Sequence, residues 1–438
     1  MIVTLILYNI LLLILSPIAI LVIIWSLIIS DKSRHGMKQR IGFVAKDTLP
    51  HDGKRIWLHA VSVGETVAAK PIWQQMLTVL PTWHLIHSTT TDTGQAQARK
   101  AVGEHGHVIY FPFDFLPCVW LALRRVRPEL IVLVETELWP NFLAVAKLLG
   151  CRVMVVNGRI SDRSLKGAAR FAPLYRWMTG NVDLFCMQSE EDAARIIRLG
   201  ADPARVTVVG NSKFDQVVTD IPLGEQVLLR NALGLSREEP VLLAGSTHPG
   251  EEEILLRAFR QVKKNCPDAR LVIAPRDIHR AQKIEEIIVA HGFTAACRTK
   301  ITAEMPSPPD AVIILDTIGE LARAYALCTA AFVGGSLVSV GGHNVLEPVA
   351  LGKPAIFGPQ MSNFRDISAI VQRTGVGFQI TTAEGLAIQW QRFLTDQQSC
   401  HEIVTRAAKI FDEYAGASQR CAAAATQLVE DDRPLCQV

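Results

Sequence analysis

Short apolar runs alternate with helical segments along most of the chain, and this alternation restricts the possible folds more than any other feature. The apolar runs of the first half are 56–61, 83–90, 107–112, 129–137, 152–160 and 183–190. Those of the second half are 240–246, 270–276, 311–316, 327–333 and 354–359. Continuous apolar strands joined by helices are typical of parallel sheets that are covered on both faces. The chain is therefore predicted to be an α/β protein with two doubly wound, Rossmann-like domains facing a cleft.

A change of pattern at residues 221–240 marks the expected boundary between the two domains. Two polar turns surround one short helix there, and a new apolar strand follows. The chain has 438 residues, of which 49% are hydrophobic, and this is enough for two cores of ordinary size. We expect a first domain over 31–220, a second over 221–425 and a tail over 426–438.

The amino terminus carries no charged residue from position 2 to position 30. This length exceeds the roughly 20 residues that cross a bilayer core, and it is too long for the apolar centre of a signal peptide. Basic residues follow at Lys32, Arg34, Lys38, Arg40 and Lys46. By the positive-inside rule, residues 1–30 are predicted to be an uncleaved membrane anchor with the remaining chain in the cytoplasm. Pro17 leaves open a helix that lies in the interface instead.

Composition and missing motifs exclude several classes of function. A net charge of +3 without a cluster of basic and aromatic residues argues against nucleic acid as a partner. The nine cysteines are widely separated and odd in number, so neither a disulfide framework nor a zinc module is indicated. The histidines lack an HExxH pattern, and no Walker A loop or GxSxG sequence is present. We expect no bound metal and no cofactor.

Residues 332–354 have the order strand, glycine-rich loop, helix that is typical of a nucleotide site. Asn344 is placed to cap the helix, and Glu347 falls in its first turn, where a carboxylate can accept hydrogen bonds from ribose hydroxyls. The glycine pairs before the helix let a backbone approach a phosphate. Ordinary helix capping, without a ligand, explains the same residues. The nucleotide interpretation gains support because similar loops follow other strands, at 244–253, at Arg276 and at 316–321.

Acidic and basic residues follow the strands of the first domain. Glu65 begins a helix, where it is either a cap or a general base that faces the cleft. Glu135 and Glu137 end a buried strand, and one of them is expected to meet a polar ligand or Arg159, although a purely structural ion pair stays open. Lys213 precedes the domain boundary and is a candidate counter-charge for a departing phosphate.

Seven sequences in a fixed order resemble the 3-deoxy-D-manno-octulosonic acid (Kdo) transferases of lipopolysaccharide assembly. They are HAVSVGE, ETELWPN, NGRIS, GNSKFD, GSTHPGEE, FVGGSL and GGHNVLEP. The resemblance implies a GT-B fold at the inner membrane and metal-independent, inverting transfer of Kdo from CMP-Kdo to a lipid A precursor, lipid IVA. It also implies that Glu65 is the general base and that Glu135 and Lys213 stabilise the transition state. The implied CMP contacts are Pro275, Arg276, Ile318, Gly319, Glu320, Asn344, Val345, Leu346 and Glu347.

Two alternatives stay open at this point. One is another GT-B glycosyltransferase that uses a UDP-sugar, such as a lipid A disaccharide synthase. The other is an anchored nucleotide-binding scaffold without turnover. The loop after Arg276 departs from the family pattern, since Asp277 and Ile278 stand where the family often has His-Pro. The resemblance therefore extends to Arg276 and not to the two residues that follow it.

Overall fold

The computed structural model describes residues 2–29, 36–45, 49–50, 52–169, 171–236, 239–302 and 305–430. The chain forms two compact units. Unit 1 comprises the residues up to Gln216 together with those from Tyr414 onward, and unit 2 comprises Val217–Glu413. The chain therefore passes from unit 1 to unit 2 once and returns once.

Unit 1 contains a sheet of seven parallel strands in the order β3-β2-β1-β4-β5-β6-β7. The strands are β1 (Lys54–His59), β2 (Trp83–Thr89), β3 (Gly106–Tyr110), β4 (Leu130–Val134), β5 (Arg152–Gly158), β6 (Leu184–Met187) and β7 (Val206–Val208). The helices are α1 (Ile2–Ile29), α2 (Met37–Arg40), α3 (Val63–Val79), α4 (Asp92–Val102), α5 (Leu116–Val126), α6 (Pro140–Leu148), α7 (Asp162–Ala169), α8 (Ala172–Gly180) and α9 (Glu190–Arg198).

Unit 2 contains a second parallel sheet of seven strands, in the order β10-β11-β9-β8-β12-β13-β14. The strands are β8 (Val241–Thr247), β9 (Arg270–Pro275), β10 (Ala295–Cys297), β11 (Val312–Ile314), β12 (Ala330–Val333), β13 (Ala355–Phe357) and β14 (Gly377–Gln379). The helices are α10 (Leu223–Ala232), α11 (Glu252–Asn265), α12 (Ala281–Ala290), α13 (Leu321–Leu327), α14 (Leu346–Ala350), α15 (Arg365–Arg373), α16 (Ala383–Thr395) and α17 (Gln397–Tyr414). The last helix, α18 (Ala417–Glu430), returns to unit 1.

Both sheets confirm the predicted parallel α/β architecture. The central strands β4 and β8 are buried along their whole length, as expected for strands that helices cover on both faces. In unit 1 the two faces of the sheet support two separate apolar clusters, one around Trp57 and Phe142 and the other around Trp73 and Met76. Each sheet has a switch point where the chain crosses to the other side of its first strand, between β1 and β4 in unit 1 and between β8 and β12 in unit 2. Ligands of open α/β sheets bind at such switch points, beyond the carboxyl ends of the strands.

The uncharged amino terminus forms the helix α1, which packs against unit 1. The Tyr8 hydroxyl donates to Asp114 at 2.9 Å, and Asn9 Nδ2 donates to Asn141 Oδ1 at 2.8 Å. Across the described part of the chain, no helix combines the length and hydropathy that a membrane crossing requires. The side chains at 2–3, 19–20, 22–24 and 26–29 of α1 lie outside that part. The predicted helix is thus confirmed, whereas the predicted transmembrane span is not.

The carboxyl-terminal helix groups with unit 1, although the sequence assigned residues up to 425 to the second domain. α18 packs against α3 and places Cys421, Ala422, Ala425 and Leu428 in an apolar cluster of the first sheet. The small side chains on this face of the helix allow a close approach to α3. The described structure therefore differs from the expected domain limits at the carboxyl terminus.

Candidate functional site

Two of the predicted residues of unit 1 follow the strands at its switch point. β1 and β4 are neighbours in the sheet, with His59 paired to Leu133. Glu65 lies in the first turn of the helix that follows β1, and Glu135 comes directly after β4. Parallel strands bring their carboxyl ends to the same edge of a sheet, so these two segments meet although they are distant in sequence.

Glu65 closes a capping box at the start of α3. The Val61 N–H donates to Glu65 Oε2 at 2.8 Å, and the Ser62 hydroxyl donates to Glu65 Oε1 at 2.8 Å. The Ser62 hydroxyl oxygen in turn accepts the Glu65 N–H at 3.3 Å. The Glu65 side chain is buried, at 9% exposure, and its orientation is held by these contacts. Glu65 therefore acts as a cap in this structure, as one of the two interpretations predicted. Each of its carboxylate oxygens still has a second lone pair that can accept a proton.

Glu135 and Glu137 form a carboxyl cluster with Glu65. Burial and the nearby charge of Glu65 raise the pKa of Glu135, whereas Arg159 and Lys213 lower it. Burial, followed by the charges of Glu65 and Glu135, raises the pKa of Glu137 to about 7. The sequence expectation that Glu135 interacts with Arg159 agrees with this arrangement. Glu135 has a φ of 58°, the left-handed conformation that a non-glycine residue rarely adopts.

Lys213 lies in a short 3-10 turn, Ser212–Gln216, whose backbone is attached to the sheet of unit 1. The Ser212 N–H donates to Asn157 Oδ1 at 3.2 Å, and the Ser212 hydroxyl donates to the Ala68 carbonyl at 2.9 Å. The Lys213 N–H donates to Asn211 Oδ1 at 3.0 Å. Its charge acts on Glu135. Glu65 and Lys213 therefore both act on Glu135 through their charges, and the catalytic role of these three residues stays a prediction.

In unit 2, the backbone amides of the loop after β12 are bound by Glu251, a residue that sequence reasoning did not single out. This fully buried carboxylate accepts the N–H groups of Gly335, Ser336 and Leu337, at 2.8, 3.1 and 3.0 Å, and that of His248 at 2.9 Å. The sequence indicated that the glycine-rich loop could hold a phosphate through its amides. These three amides are already satisfied by an internal anion. In the sequence, the only sign of this role for Glu251 was the run of acidic residues after Gly250.

Two histidines lie side by side beyond β8 and β12. His248 Nε2 and His343 Nε2 are 2.9 Å apart, and the two rings are nearly parallel. Burial, Arg276 and His248 lower the pKa of His343 to about 4, so His343 is neutral at neutral pH. A β-carbon at Gly335 would lie 3.0 Å from the His343 ring and 3.4 Å from the His248 ring. The absence of a side chain at Gly335 therefore leaves space for this pair.

Asn344, Glu347 and Arg276 occupy the same edge of the second sheet. Asn344 Oδ1 accepts the Leu346 N–H at 3.1 Å, which is the cap that the sequence predicted. Burial raises the pKa of Glu347 to about 7, and the charge of Arg276 opposes this shift. Arg276 follows Pro275 at the end of β9, and its N–H donates to the Thr247 carbonyl at 3.1 Å. Val345 and Leu346 are fully buried.

The third predicted segment, 318–320, follows β11, which neighbours β9 in the sheet. Ile318 is 84% exposed, and Gly319 has a φ of 90°. Glu320 forms an ion pair with Arg298 at 3.6 Å and accepts a hydrogen bond from the Thr317 hydroxyl. An exposed isoleucine beside a left-handed glycine leaves this loop open to contact with a flat aromatic ring. Among the described residues, no group of three or more His, Cys, Asp or Glu could hold a metal ion.

Comparison with known proteins shows which family this chain is similar to. A family model for 3-deoxy-D-manno-octulosonic-acid transferase (kdotransferase) matches residues 35–216. A 3-deoxy-D-manno-octulosonic acid transferase of Haemophilus influenzae is 30% identical over 414 residues, which cover 94% of this chain and 96% of that protein. A bifunctional glycosyltransferase/methyltransferase of Fusobacterium nucleatum is 34% identical over 354 residues, or 80% of this chain. The chain spans only about half, 54%, of that longer relative.

A solved structure of low sequence identity shares the two-unit fold. A putative UDP-N-acetylglucosamine 2-epimerase from Listeria monocytogenes aligns with a TM-score of 0.58 and 14% identity, covering 88% of this chain and 100% of that one. At this identity the likeness concerns the fold alone.

Proposed function

Because the chain belongs to the family of 3-deoxy-D-manno-octulosonic acid transferases and is a glycosyltransferase, we propose that it transfers Kdo from CMP-Kdo to a lipid A precursor, lipid IVA. The proposal includes inversion at the sugar, no requirement for metal, and Glu65 as the general base. The observation that carries it is the convergence of Glu65, Glu135 and Lys213 at the switch point of unit 1. Three separate chain segments supply these groups.

Glu65 takes the proton of the acceptor hydroxyl in this mechanism. The hydroxyl oxygen bonds to the anomeric carbon of Kdo while the bond from that carbon to the phosphate oxygen breaks. CMP leaves with the electron pair of the broken bond, and the proton passes to Glu65. The hydrogen bonds from Val61 and Ser62 hold the carboxylate in one orientation before the acceptor binds, which limits the reorganisation that the reaction requires.

Glu135 and Lys213 stabilise opposite charges that develop during transfer. A carboxylate at Glu135 stabilises positive charge on the sugar ring, and the Lys213 ammonium stabilises negative charge on the departing phosphate. Their mutual electrostatic interaction supports these roles, because the lysine favours the ionised form of Glu135. A monophosphate leaving group carries little charge, which the Lys213 ammonium can stabilise, so the proposal requires no metal ion.

Unit 2 binds the CMP part of the donor in this proposal. The Arg276 guanidinium is suited to the phosphate, and the ionised Glu347 carboxylate is suited to the two ribose hydroxyls. Residues 318–320 and 344–346 are the further proposed contacts, and among them the side chain of Ile318 is exposed. The supporting observation is that Arg276 and Glu347 interact electrostatically at one edge of the sheet.

We also propose that the protein acts at the cytoplasmic face of the inner membrane, because its proposed acceptor is a lipid. α1 contacts unit 1 through Tyr8 and Asn9, while its other sides expose large apolar side chains. These are Ile6, Leu7, Ile10, Leu11, Leu13, Ile14, Leu15, Ile18, Leu21 and Trp25. A helix that is attached on one side and apolar on the other is suited to insertion into the lipid interface. Sedimentation with vesicles measures this association.

The decisive experiment separates the two roles of Glu65. Glu65→Gln keeps the capping box, since glutamine also serves at this position, but it cannot accept the acceptor's proton. We expect transfer from CMP-Kdo to lipid IVA, measured by the mass of the lipid product, to fall by about 10²–10⁴-fold. The melting temperature and CMP affinity should stay at their wild-type values.

Glu129→Gln is the matched control, because Glu129 lies in unit 1 but pairs with Lys54 on the surface. It should retain full transfer. Unchanged transfer by Glu65→Gln would exclude Glu65 as the base. Wild-type protein that is stabilised by UDP and not by CMP would overturn the assignment of the donor.

A further inference from the structure

The turn that carries Lys213 is attached to the carboxyl-terminal helix by Asp215, two residues further along the same turn. Asp215 Oδ1 accepts the Gly416 N–H at 2.6 Å, and Asp215 Oδ2 accepts the Ser418 N–H at 2.7 Å. Both oxygens of one carboxylate are therefore used at the start of α18. The two segments are about 200 residues apart in sequence, since 201 and 203 positions separate the partners.

Further contacts reinforce the same attachment. The rings of Phe214 and Tyr414 stack with centroids 5.3 Å apart, and Phe214 is 1% exposed. Arg420, in α18, donates from Nε to the Val209 carbonyl and from Nη2 to the Ala415 carbonyl, each at 2.8 Å. The turn, the strand end before it and the start of α18 thus form one connected group within unit 1.

Lys213 is consequently supported from two directions. On one side, Ser212 connects the turn to Asn157 of β5 and to Ala68 of α3. On the other side, Asp215 connects it to the amino terminus of α18. A side chain that must reach a developing charge depends on backbone supports of this kind, because a displacement of about 1 Å can cost about 10²-fold in rate.

We propose that Asp215 is a positioning residue for Lys213, and that the amino terminus of α18 is part of the support of the catalytic site. This inference rests on the proposed role of Lys213 in transfer. It gives α18 a function beyond covering the apolar face of α3. Asp215 acts through the turn and does not contact substrate.

The test is a graded series at Asp215. Asp215→Asn keeps one acceptor oxygen and Asp215→Ala keeps none, so kcat should fall by about 10-fold or more for the alanine variant, with the asparagine variant between it and wild type. KM for CMP-Kdo and the affinity for CMP should stay within about twofold, because the proposed CMP contacts belong to unit 2. Arg420→Gln, which loosens the same attachment at a more exposed position, should lower kcat in the same direction.

Asp183→Asn is the matched control for a general loss of stability. Asp183 is a buried carboxylate of unit 1 that likewise accepts a backbone N–H, from Val153 at 2.9 Å, but it precedes β6 and therefore lies at the amino-terminal ends of the strands, whereas the Lys213 turn lies beyond their carboxyl ends. It should lower the melting temperature without changing kcat. If the Asp215 series and Arg420→Gln lower kcat no more than Asp183→Asn does, the proposal is overturned.

Lys213→Ala distinguishes this inference from the function on which it rests. Loss of transfer in Lys213→Ala, together with a graded loss in the Asp215 series, supports both. Loss in Lys213→Ala with wild-type kcat in the Asp215 series rejects only the positioning role. Wild-type transfer by Lys213→Ala rejects the role of the lysine itself.

Discussion

Glu347 combines a buried carboxyl group with a proposed role that requires its charge. Burial raises its pKa from 4.5 to about 7, and Arg276 compensates only in part. Such a shift corresponds to about 3 kcal/mol of differential free energy between the two protonation states. In the ligand-free protein, the ionised form therefore lowers the free energy of unfolding. A ribose that donates two hydrogen bonds would compensate for part of that cost.

Glu347→Gln should consequently raise thermal stability and weaken CMP binding. The cost of ionisation is absent below the unfolded pKa near 4.5 and grows as the pH rises through 7, because the folded pKa is the higher one. We expect the melting temperature of the variant to exceed that of wild type at pH 8, and the difference to vanish towards pH 5. Differential scanning fluorimetry and CMP titration at both pH values measure this.

Glu286→Gln is the control for this experiment, since Glu286 is exposed on α12. Glu286→Gln should change neither the melting temperature nor the affinity for CMP. A Glu347→Gln variant that is less stable than wild type at pH 8 would contradict the interpretation of Glu347 as a carboxylate held for a ligand.

At the scale of elements, Glu251 determines how two loops of unit 2 lie against each other. It belongs to the loop after β8, yet three of its four hydrogen bonds go to the loop after β12. β8 and β12 are neighbours at the switch point. This buried carboxylate accepts hydrogen bonds from four N–H donors, and removing it leaves those amides without partners.

Glu251→Gln should therefore destabilise unit 2. The glutamine NH₂ group would face backbone N–H donors, so at least one of the four donors loses its acceptor. We expect a loss of about 2–5 kcal/mol in the free energy of unfolding, measured by urea denaturation. Glu286→Gln serves as the control on the surface of the same unit. A loss below about 0.5 kcal/mol, which is typical of surface changes, would contradict the network seen here.

At the scale of the whole molecule, α1 is the element that would carry the proposed association with a lipid surface. In the described part of the chain, α1 donates hydrogen bonds from Tyr8 to Asp114 and from Asn9 to Asn141, and Asp114 keeps other hydrogen bonds without the one from Tyr8. Asp114 also accepts the N–H groups of Asn141 at 3.1 Å and Phe142 at 2.8 Å. The first turn of α6 thus retains its cap when α1 is absent.

Deletion of residues 1–29 should therefore leave a folded protein that binds CMP but no longer sediments with vesicles of anionic phospholipid. The lost apolar surface of α1 is the physical reason, since burial of apolar area drives association with an interface. The full-length chain is the control. Vesicle binding that survives the deletion would show that surfaces other than α1 are sufficient for it. Loss of CMP binding would contradict the expectation that unit 2 binds CMP without α1.

Much of the architecture was predictable because it depends on local patterns. Continuous apolar runs separated by helices are sufficient to predict parallel strands, and all the runs named from the sequence contain or overlap observed strands. The ends of those strands also located Glu65, Glu135, Arg276 and Glu347 correctly at the carboxyl edges of the sheets. The cap at Asn344 was predictable for the same reason, since an Asx cap acts over two residues.

Other features depend on pairs that are remote in sequence. The sequence showed glycine-rich loops but not that Glu251 occupies the amides of one of them, across 84 to 86 positions. It showed an alanine-rich final helix but not that this helix belongs to unit 1. It likewise did not show that the charge of Glu65 acts on Glu137, whose pKa is raised first by burial and then by this charge.

The amino-acid sequence by itself determined the fold class, the strand ends that carry the polar residues, and a resemblance that the comparisons with relatives confirmed. These properties follow from periodicity and short motifs, which act over a few residues. The tertiary structure alone decided which buried donors meet which carboxylates, as at Glu251 and Asp215. Such pairs are selected by the packing of whole helices and strands, because a buried polar group must find its partner wherever the folded chain places one.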